Sequence, residues 1–290
     1  MTPLDLVKLR SLMEVTAGRL DIMVGLIDGP VAISHPDLAG ANIREVPGAV
    51  AACAQATSAA CLHGTFVAGI LCAKRGSIAP AICPSCTLLV RPVFAETVTA
   101  NLESPTAEPE ELAAAIFDCI DAGARVINLS LALTHSSTKA QLALAEALDH
   151  SARRGVVIVP AAGNQGTVGS TVITAHPWVI PVGACDLRGK PLNQSNLGHS
   201  IGRRGLLAPG EQISSLGAVG QPVSLGGTSA AVPFVTGAIA LIWSQFPSAS
   251  GAELRLALMH NRERMRTNVT PPLLNAWAVY QVLRATHSRR

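Results

Sequence analysis

Short runs of uninterrupted apolar residues recur along the chain and alternate with longer segments of helical periodicity. Continuous apolar runs are typical of strands that are buried on both faces of a sheet. They predict strands at Ile22–Ile27, Thr87–Val93, Val126–Leu131, Gly155–Ala161 and Trp178–Gly183. The helical periodicity predicts helices at His63–Ala73, Glu110–Ala122, Lys139–Arg153, Ser229–Gln245 and Gly251–His260.

Strands that alternate with helices predict an α/β fold with a doubly wound, mostly parallel central sheet and helices on both faces. No linker divides the 290 residues, so we predict one domain over residues 1–290. Residues 1–20 form a predicted helical extension, with Leu6, Leu9, Met13 and Ala17 on one side. The polar stretch from Thr97 to Pro109 is predicted to be a surface loop.

Composition excludes several classes of protein. Hydrophobic residues make up 49% of the chain and charged residues 14%, which indicates a large buried core and argues against disorder. The net charge of +3 is too small to indicate a basic surface that binds nucleic acid. No apolar run approaches the roughly 18–20 residues that cross a bilayer, and charges interrupt the N-terminal segment from Asp5 onward. We therefore expect a cytoplasmic protein with no nucleic-acid or membrane partner.

Seven cysteines raise the question of disulfides and metals. An odd count fits reduced thiols in a reducing compartment, although a bridge between Cys53 and Cys61 remains open. Cys83 and Cys86 have C-x-x-C spacing, but no second pair accompanies them. We expect a structural role for this pair, and no metal or cofactor.

Three residues with side chains suited to acyl transfer lie at strand ends or helix starts. Asp28 directly follows a predicted strand, His63 begins an apolar helix, and Ser229 follows a glycine turn at the start of another helix. Each also has a structural interpretation: a turn-forming Asp, a structural His and a helix-capping Ser. Asn164 ends a further apolar strand and is either a turn residue or a donor to an oxyanion.

The combination favours catalysis over the four separate structural interpretations. Binding sites and active sites in α/β proteins lie at the carboxyl ends of the strands of the sheet. Acid, base and nucleophile also follow one another in the order Asp, His, Ser, which is the order found in subtilisin. We therefore predict a triad of Asp28, His63 and Ser229, with Asn164 in the oxyanion hole.

From Ile22 to Pro247 the sequence resembles the subtilase family. The matching segments are Leu26-Ile-Asp28, Ser34-His-Pro-Asp37, His63-Gly-Thr65, Val126-Ile-Asn-Leu-Ser130, Ala161-Ala-Gly-Asn164, Leu207-Ala-Pro-Gly210 and Gly227-Thr-Ser229. The resemblance implies peptide-bond hydrolysis by a serine endopeptidase, with a peptide as partner. It also implies that the substrate binds along Ser130, Leu131, Ala132, Ala161, Ala162 and Gly163. Ala230 and Val232 depart from the residues that are usual after the nucleophile, and neither supplies a transferred proton.

A narrower resemblance is to the proteases that mature cyanobactins of the patellamide type. It is carried by Asp28-Gly-Pro-Val31, Gly40-Ala-Asn42, Leu89-Val-Arg-Pro-Val-Phe94 and Gly205-Leu-Leu-Ala-Pro-Gly-Glu211. It implies removal of a leader or recognition sequence from a ribosomally made precursor peptide. Cyclising members carry a helical insertion between the Asp and His motifs, and only 35 residues separate Asp28 from His63 here. We expect hydrolysis; general protein turnover, macrocyclising transpeptidation and a non-catalytic peptide-binding relic remain as alternatives.

Overall fold

The computed structural model describes residues 1–50, 52–96, 106–130, 132–133, 138–259 and 269–288. The helices are α1 (Pro3–Leu6), α2 (Leu9–Val15), α3 (Ala59–Cys72), α4 (Pro109–Asp121), α5 (Thr138–Arg154), α6 (Val172–Ala175), α7 (His199–Arg204), α8 (Thr228–Gln245), α9 (Gly251–Met259) and α10 (Ala276–His287). The strands are β1 (Met23–Asp28), β2 (Asn42–Glu45), β3 (Thr87–Pro92), β4 (Thr106–Ala107), β5 (Val126–Leu129), β6 (Ala132–Leu133), β7 (Val157–Pro160), β8 (Val182–Cys185), β9 (Leu206–Pro209), β10 (Ile213–Leu216) and β11 (Pro222–Leu225).

The central sheet is parallel and has the strand order β2-β3-β1-β5-β7. A parallel bridge from Ala161 to Val182 continues it into the parallel pair β8-β9. The carboxyl ends of all these strands therefore lie along one edge. The predicted fold class, a doubly wound and mostly parallel sheet, is confirmed.

Alternate residues of the buried strands pack in two hydrophobic cores, one on each face of the sheet. Val24 and Leu26 of β1 pack in a core with residues of α3 and α8, whereas Ile27 packs in a second core with residues of α4 and α5. Both faces of the sheet are thus covered, which explains the uninterrupted apolar runs. Because burying a large aliphatic side chain contributes about 1.5–3 kcal/mol, these two layers supply most of the driving force for folding.

The predicted helices are present, with ends that differ by a few residues. Two differences concern strands and a helix. The strand predicted at Trp178–Gly183 lies instead at Val182–Cys185. Pro181 directly precedes this strand and has no amide to donate to a neighbouring strand. The strands β9 to β11 were not predicted, since each has four residues and so short a run carries weak periodicity. The helix α10 was not predicted either. His260, Leu131 and residues 97–105 lie outside the described residues.

The prediction of one helix within residues 1–20 is wrong. The chain forms α1 and α2, and Lys8 between them has a left-handed backbone with φ 55°. Leu6 and Leu9 of the predicted stripe are buried together with Leu12, whereas Met13 and Ala17 are only partly buried. The break lets the Val7 carbonyl accept the Ala276 amide over 3.0 Å, which ties the extension to α10.

The helix α8 is long and apolar enough to cross a membrane, but 89% of it is buried inside the protein. This is the pattern of a core helix. Its N-terminus lies at the carboxyl edge of the sheet, where the candidate site is found. The interpretation of the whole chain as one domain stays a prediction.

Candidate active site

Asp28 and His63 form a buried hydrogen-bonded pair. Asp28 is the last residue of β1 and is fully buried. Its Oδ1 lies 2.6 Å from His63 Nδ1 and also accepts the Gly29 amide over 2.6 Å. A carboxylate oxygen can only accept, so Nδ1 carries the proton and Nε2 keeps a lone pair. The exposed fraction of the His63 side chain is 14%, so a substrate can reach the ring.

The separation of this acid and base is set by backbone contacts between β1 and α3. A Cβ atom at Gly29 would fall on the carbonyl of Ala60, and one at Gly64 would fall on the carbonyl of Gly29. Any other residue at either position would push the helix away from the strand. The two glycines thus hold the imidazole against the carboxylate.

The prediction that a helix begins at His63 is wrong. The helix α3 begins four residues earlier, at Ala59, and Ser58 caps it by accepting the Cys61 amide over 3.1 Å. His63 therefore lies past the first turn. Its backbone is held by the helix on both sides, which fixes the direction of its side chain.

The environment of His63 changes its proton affinity in two opposing ways. Burial lowers the pKa of the imidazole, whereas the charge of Asp28 and the hydrogen bond from Nδ1 raise it. The two effects of Asp28 prevail, and the pKa of His63 lies above its ordinary value. Stabilisation of the imidazolium in this way is what a general base needs while it holds a proton from the nucleophile.

Ser229 lies in the first turn of α8, after Gly227, whose φ is +102°. Free amides and the helix dipole favour negative charge at this position. The side chain is half-buried. Among the described residues no hydrogen bond joins His63 to Ser229, so the role of Ser229 as nucleophile stays a prediction. Such bonds are often long without substrate and shorten when it binds.

Pro233 lies inside α8, beyond the first turn, where it removes an intrahelical hydrogen bond. The missing bond is the one to the carbonyl of Ser229, four residues earlier. The Ser130 hydroxyl replaces it and donates to that carbonyl over 3.2 Å. Ser130 thereby fixes the backbone of the predicted nucleophile.

A buried polar chain behind Ser130 was missed by the sequence analysis. The Thr236 hydroxyl donates to Asn128 Oδ1 over 3.0 Å, and Asn128 Nδ2 donates to the Ser130 hydroxyl over 2.7 Å. Thr236 and Asn128 are fully buried. The signal for them is a polar residue inside an otherwise apolar strand or helix, because such a residue needs a partner.

Asn164 is oriented for donation. Its Oδ1 accepts the backbone amide of Thr228 over 2.8 Å and the Thr228 hydroxyl over 3.1 Å. A backbone N–H can only donate, so the oxygen must face Thr228 and Nδ2 must face away. No described residue accepts from Nδ2, and the side chain is exposed. The amide is thus available to an oxyanion beside Ser229. Thr228 is the positioning residue that the sequence analysis did not identify.

Three of the remaining predicted substrate-binding residues lie beside this centre. Ala161, Ala162 and Gly163 follow β7, and Gly163 donates its amide to the Thr228 hydroxyl over 3.3 Å. Ala132 lies in β6, which pairs with β4, and Leu131 lies outside the described residues. Substrate binding by these residues and by Ser130 stays a prediction.

The Cys53–Cys61 bridge that the sequence left open is present. Cys53 and Cys61 form a disulfide with a Cα–Cα distance of 5.6 Å. Glu96 holds the same loop, because its carboxylate accepts the amides of Ala54 and Gln55, each over 2.9 Å. The disulfide and Glu96 lie within 4.8 Å of each other, yet their atoms are already bonded and offer no free metal ligands. The loop is therefore tied directly to the helix that carries His63.

The other cysteines are free and buried. Burial raises the pKa of Cys72, Cys119 and Cys185 to about 12 in each case, which makes these thiols unreactive. Cys83 and Cys86 are also free, and each is buried in the core between α3 and α8. A structural role is consistent with this placement.

The fold and the arrangement of carboxylate, imidazole and hydroxyl along one sheet edge place the chain in the class of subtilisin-like proteins. Residues 20–276 match the subtilase family, and the chain belongs to that family. It is 31% identical over 240 residues to Subtilisin E from Bacillus subtilis strain 168, which covers 81% of this chain and 58% of that protein. The chain therefore spans less than two thirds of the length of that relative.

Two solved structures from cyanobactin maturation are similar over nearly the whole chain. A mutant of the protease domain of PatA has a TM-score of 0.82 and 30% identity, covering 93% of this chain and 97% of that one. The prenylagaramide maturation protease PagA has a TM-score of 0.79 and 28% identity, covering 94% and 98%. The narrower resemblance predicted from the sequence is confirmed.

Proposed function

We propose that this chain is a serine endopeptidase that hydrolyses peptide bonds. The observation that carries the proposal is the 2.6 Å bond from His63 Nδ1 to Asp28, which leaves Nε2 as an acceptor. Ser229 Oγ attacks the substrate carbonyl carbon while its proton passes to Nε2. The negative charge that develops on the carbonyl oxygen is bound by Asn164 Nδ2 and by the Ser229 amide.

The tetrahedral intermediate then collapses to an acyl-enzyme. The bond to the leaving nitrogen breaks, and the imidazolium of His63 gives its proton to that nitrogen. A water molecule attacks the acyl carbon with His63 again as base, which releases the acid product and restores Ser229. Asp28 holds the imidazole in the required tautomer and stabilises its charged form throughout.

The test is labelling with a fluorophosphonate reagent, followed by intact-mass spectrometry. The wild-type chain is expected to gain one label, and Ser229→Ala is expected to gain none. Ser214→Ala, which removes an exposed serine, is the matched control and should label like wild type. Equal labelling of Ser229→Ala would show that another residue is the nucleophile.

The substrate we propose is a ribosomally made precursor peptide, from which the enzyme removes a leader or recognition sequence. The similarity to PatA and PagA supports this class. Between Asp28 and α3, the described residues form a 3-10 turn (Pro36–Leu38) and the short strand β2, with no longer helix over the site. Water can therefore reach the acyl-enzyme, which favours hydrolysis over cyclisation.

Mass spectrometry of purified enzyme with a peptide library distinguishes the alternatives. Linear products cut at one motif support precursor processing, whereas cuts at many unrelated sites support general turnover. A product lighter than the linear acid by one water molecule would indicate cyclisation. Binding with no product would indicate a relic that holds peptides.

Location in the cytoplasm is a further part of the proposal. Five free cysteines fit a reducing compartment, and the Cys53–Cys61 bond is the feature that opposes it. Alkylation of thiols in intact cells, followed by mass spectrometry, would show which state Cys53 has there. A fully oxidised pair in the cell would argue for an oxidising compartment.

A further inference from the structure

A groove of about 430 Å³ lies at the carboxyl edge of the sheet, near the start of α8. It lies beyond the ends of β8 and β9. Its walls include Leu192, Gln194, Glu211, Gln212, Leu225 and Gly226. It is joined to the catalytic helix directly, because the Gly227 amide donates to the Gly210 carbonyl over 2.7 Å, two residues before Ser229.

One wall of the groove leads to the helix that carries His63. Its wall at Gln212 runs directly into β10, and β10 packs against α3, the helix of His63. The contact includes a 2.7 Å bond from the Ser215 hydroxyl to the Phe66 carbonyl. His63 protonates the leaving nitrogen, so that nitrogen and the residues after it lie toward α3. Ser130, which follows β5, donates to the Ser229 carbonyl and does not line the groove.

The charge of the groove comes from one residue. Glu211 is the single ionisable side chain among the described residues that line it. Glu211 is exposed and forms no ion pair with any described residue. Leu192 and Leu225 offer apolar surface beside it. A carboxylate next to apolar walls matches a lysine or arginine, whose aliphatic stem packs while its cationic end pairs with the acid.

We propose that this groove binds the substrate segment that follows the scissile bond, and that Glu211 selects a lysine or arginine within its first three residues. The inference rests on the proposed endopeptidase function. An acidic residue at the same place is disfavoured by repulsion from Glu211. The selected residue thus belongs to the part of the substrate that leaves first.

The experiment is cleavage of a peptide library prepared from a proteome cut after glutamate, with the new termini identified by mass spectrometry. Lysine and arginine are expected to be enriched by about two- to fivefold in the first three positions after the cut, the effect of a partly exposed ion pair. Glu211→Gln should abolish the enrichment, and Glu211→Lys should replace it with enrichment of acidic residues. Added salt should weaken the wild-type preference.

Glu110→Gln is the matched control, because Glu110 is an exposed acid at the start of α4, on the other face of the sheet. It should keep the wild-type preference. The proposal is overturned if Glu211→Gln keeps the enrichment, if Glu110→Gln also loses it, or if the wild type shows none.

A separate measurement distinguishes this inference from the proposed function. Fluorophosphonates carry no peptide leaving group, so Glu211→Gln should be labelled at the wild-type rate. Normal labelling with unchanged selectivity would refute the groove assignment alone. Failure of the wild type to label or to cleave any peptide would refute the endopeptidase function and the groove assignment with it.

Discussion

Replacing Asn164 separates the two tasks that we propose for its amide. Nδ2 is available to the oxyanion, whereas Oδ1 holds the buried N–H of Thr228 over 2.8 Å. Asn164→Asp keeps an acceptor facing Thr228 and removes the donor. Asn164→Ala removes both. The pair of variants therefore distinguishes a loss of transition-state stabilisation from a loss of structure.

Loss of the donor is expected to lower kcat by about 100–1000-fold, or roughly 2.7–4 kcal/mol. Asn164→Asp should lose at least this much, because its charge repels the oxyanion. Its stability should match wild type, since a carboxylate is favourable at the N-terminus of α8. Asn164→Ala should also leave the Thr228 amide without its partner, which lowers the free energy of unfolding by about 1–3 kcal/mol.

The assays are steady-state kinetics on a cleaved peptide and thermal unfolding of the same preparations. Thr228→Val is the control: it removes the hydroxyl that Asn164 accepts and keeps the backbone amide. It should change kcat by much less than Asn164→Asp. Wild-type turnover in Asn164→Asp would refute the oxyanion role, and equal stability of Asn164→Ala and wild type would refute the anchoring role.

Four further predictions concern the site and the contacts that hold it in place. The pKa of His63 lies above its ordinary value of 6.5, and the base must be neutral to act. The value of kcat/KM should therefore fall with decreasing pH through a midpoint above 6.5. A midpoint below 6.5 would contradict the effect of the Asp28 charge. Asp28→Asn should lower kcat by about 10⁴-fold at unchanged fold, as measured by turnover and circular dichroism. Cys53→Ser should lower stability by about 2–3 kcal/mol and make the melting temperature insensitive to reductant. Thr236→Val leaves the buried amide oxygen of Asn128 unpaired, which should lower the free energy of unfolding by about 1–3 kcal/mol. It should also lower kcat, which a purely structural defect would not do.

The sequence predicted the elements that bury long apolar surfaces. β1, β3, β5 and β7 were located because a strand covered on both faces must be apolar without interruption. Asp28 and Asn164 were found for the same reason, since each polar side chain directly follows such a run. Local pattern and motif order were sufficient for these features.

The sequence could not predict features that depend on contacts between distant segments. Pro233 leaves the Ser229 carbonyl without an intrahelical partner, and Ser130 donates to that carbonyl instead. The sequence does not show which strand end lies next to the Ser229 carbonyl. The start of α3 was misplaced because the residues before His63 are small and weakly periodic. The pairing of Cys53 with Cys61 likewise depends on the path of one loop.

Burial of α8 along nearly its whole length bears on how the protein resists its own proposed activity. The helix begins at Thr228, next to the proposed nucleophile Ser229, and is still fully buried at Trp243, two residues before its end. Its amides cannot exchange with solvent unless the two hydrophobic layers separate, so they should exchange at the rate of global unfolding. A neighbouring copy of the enzyme could then digest this segment only after the whole core has opened, and autolysis would be limited by unfolding.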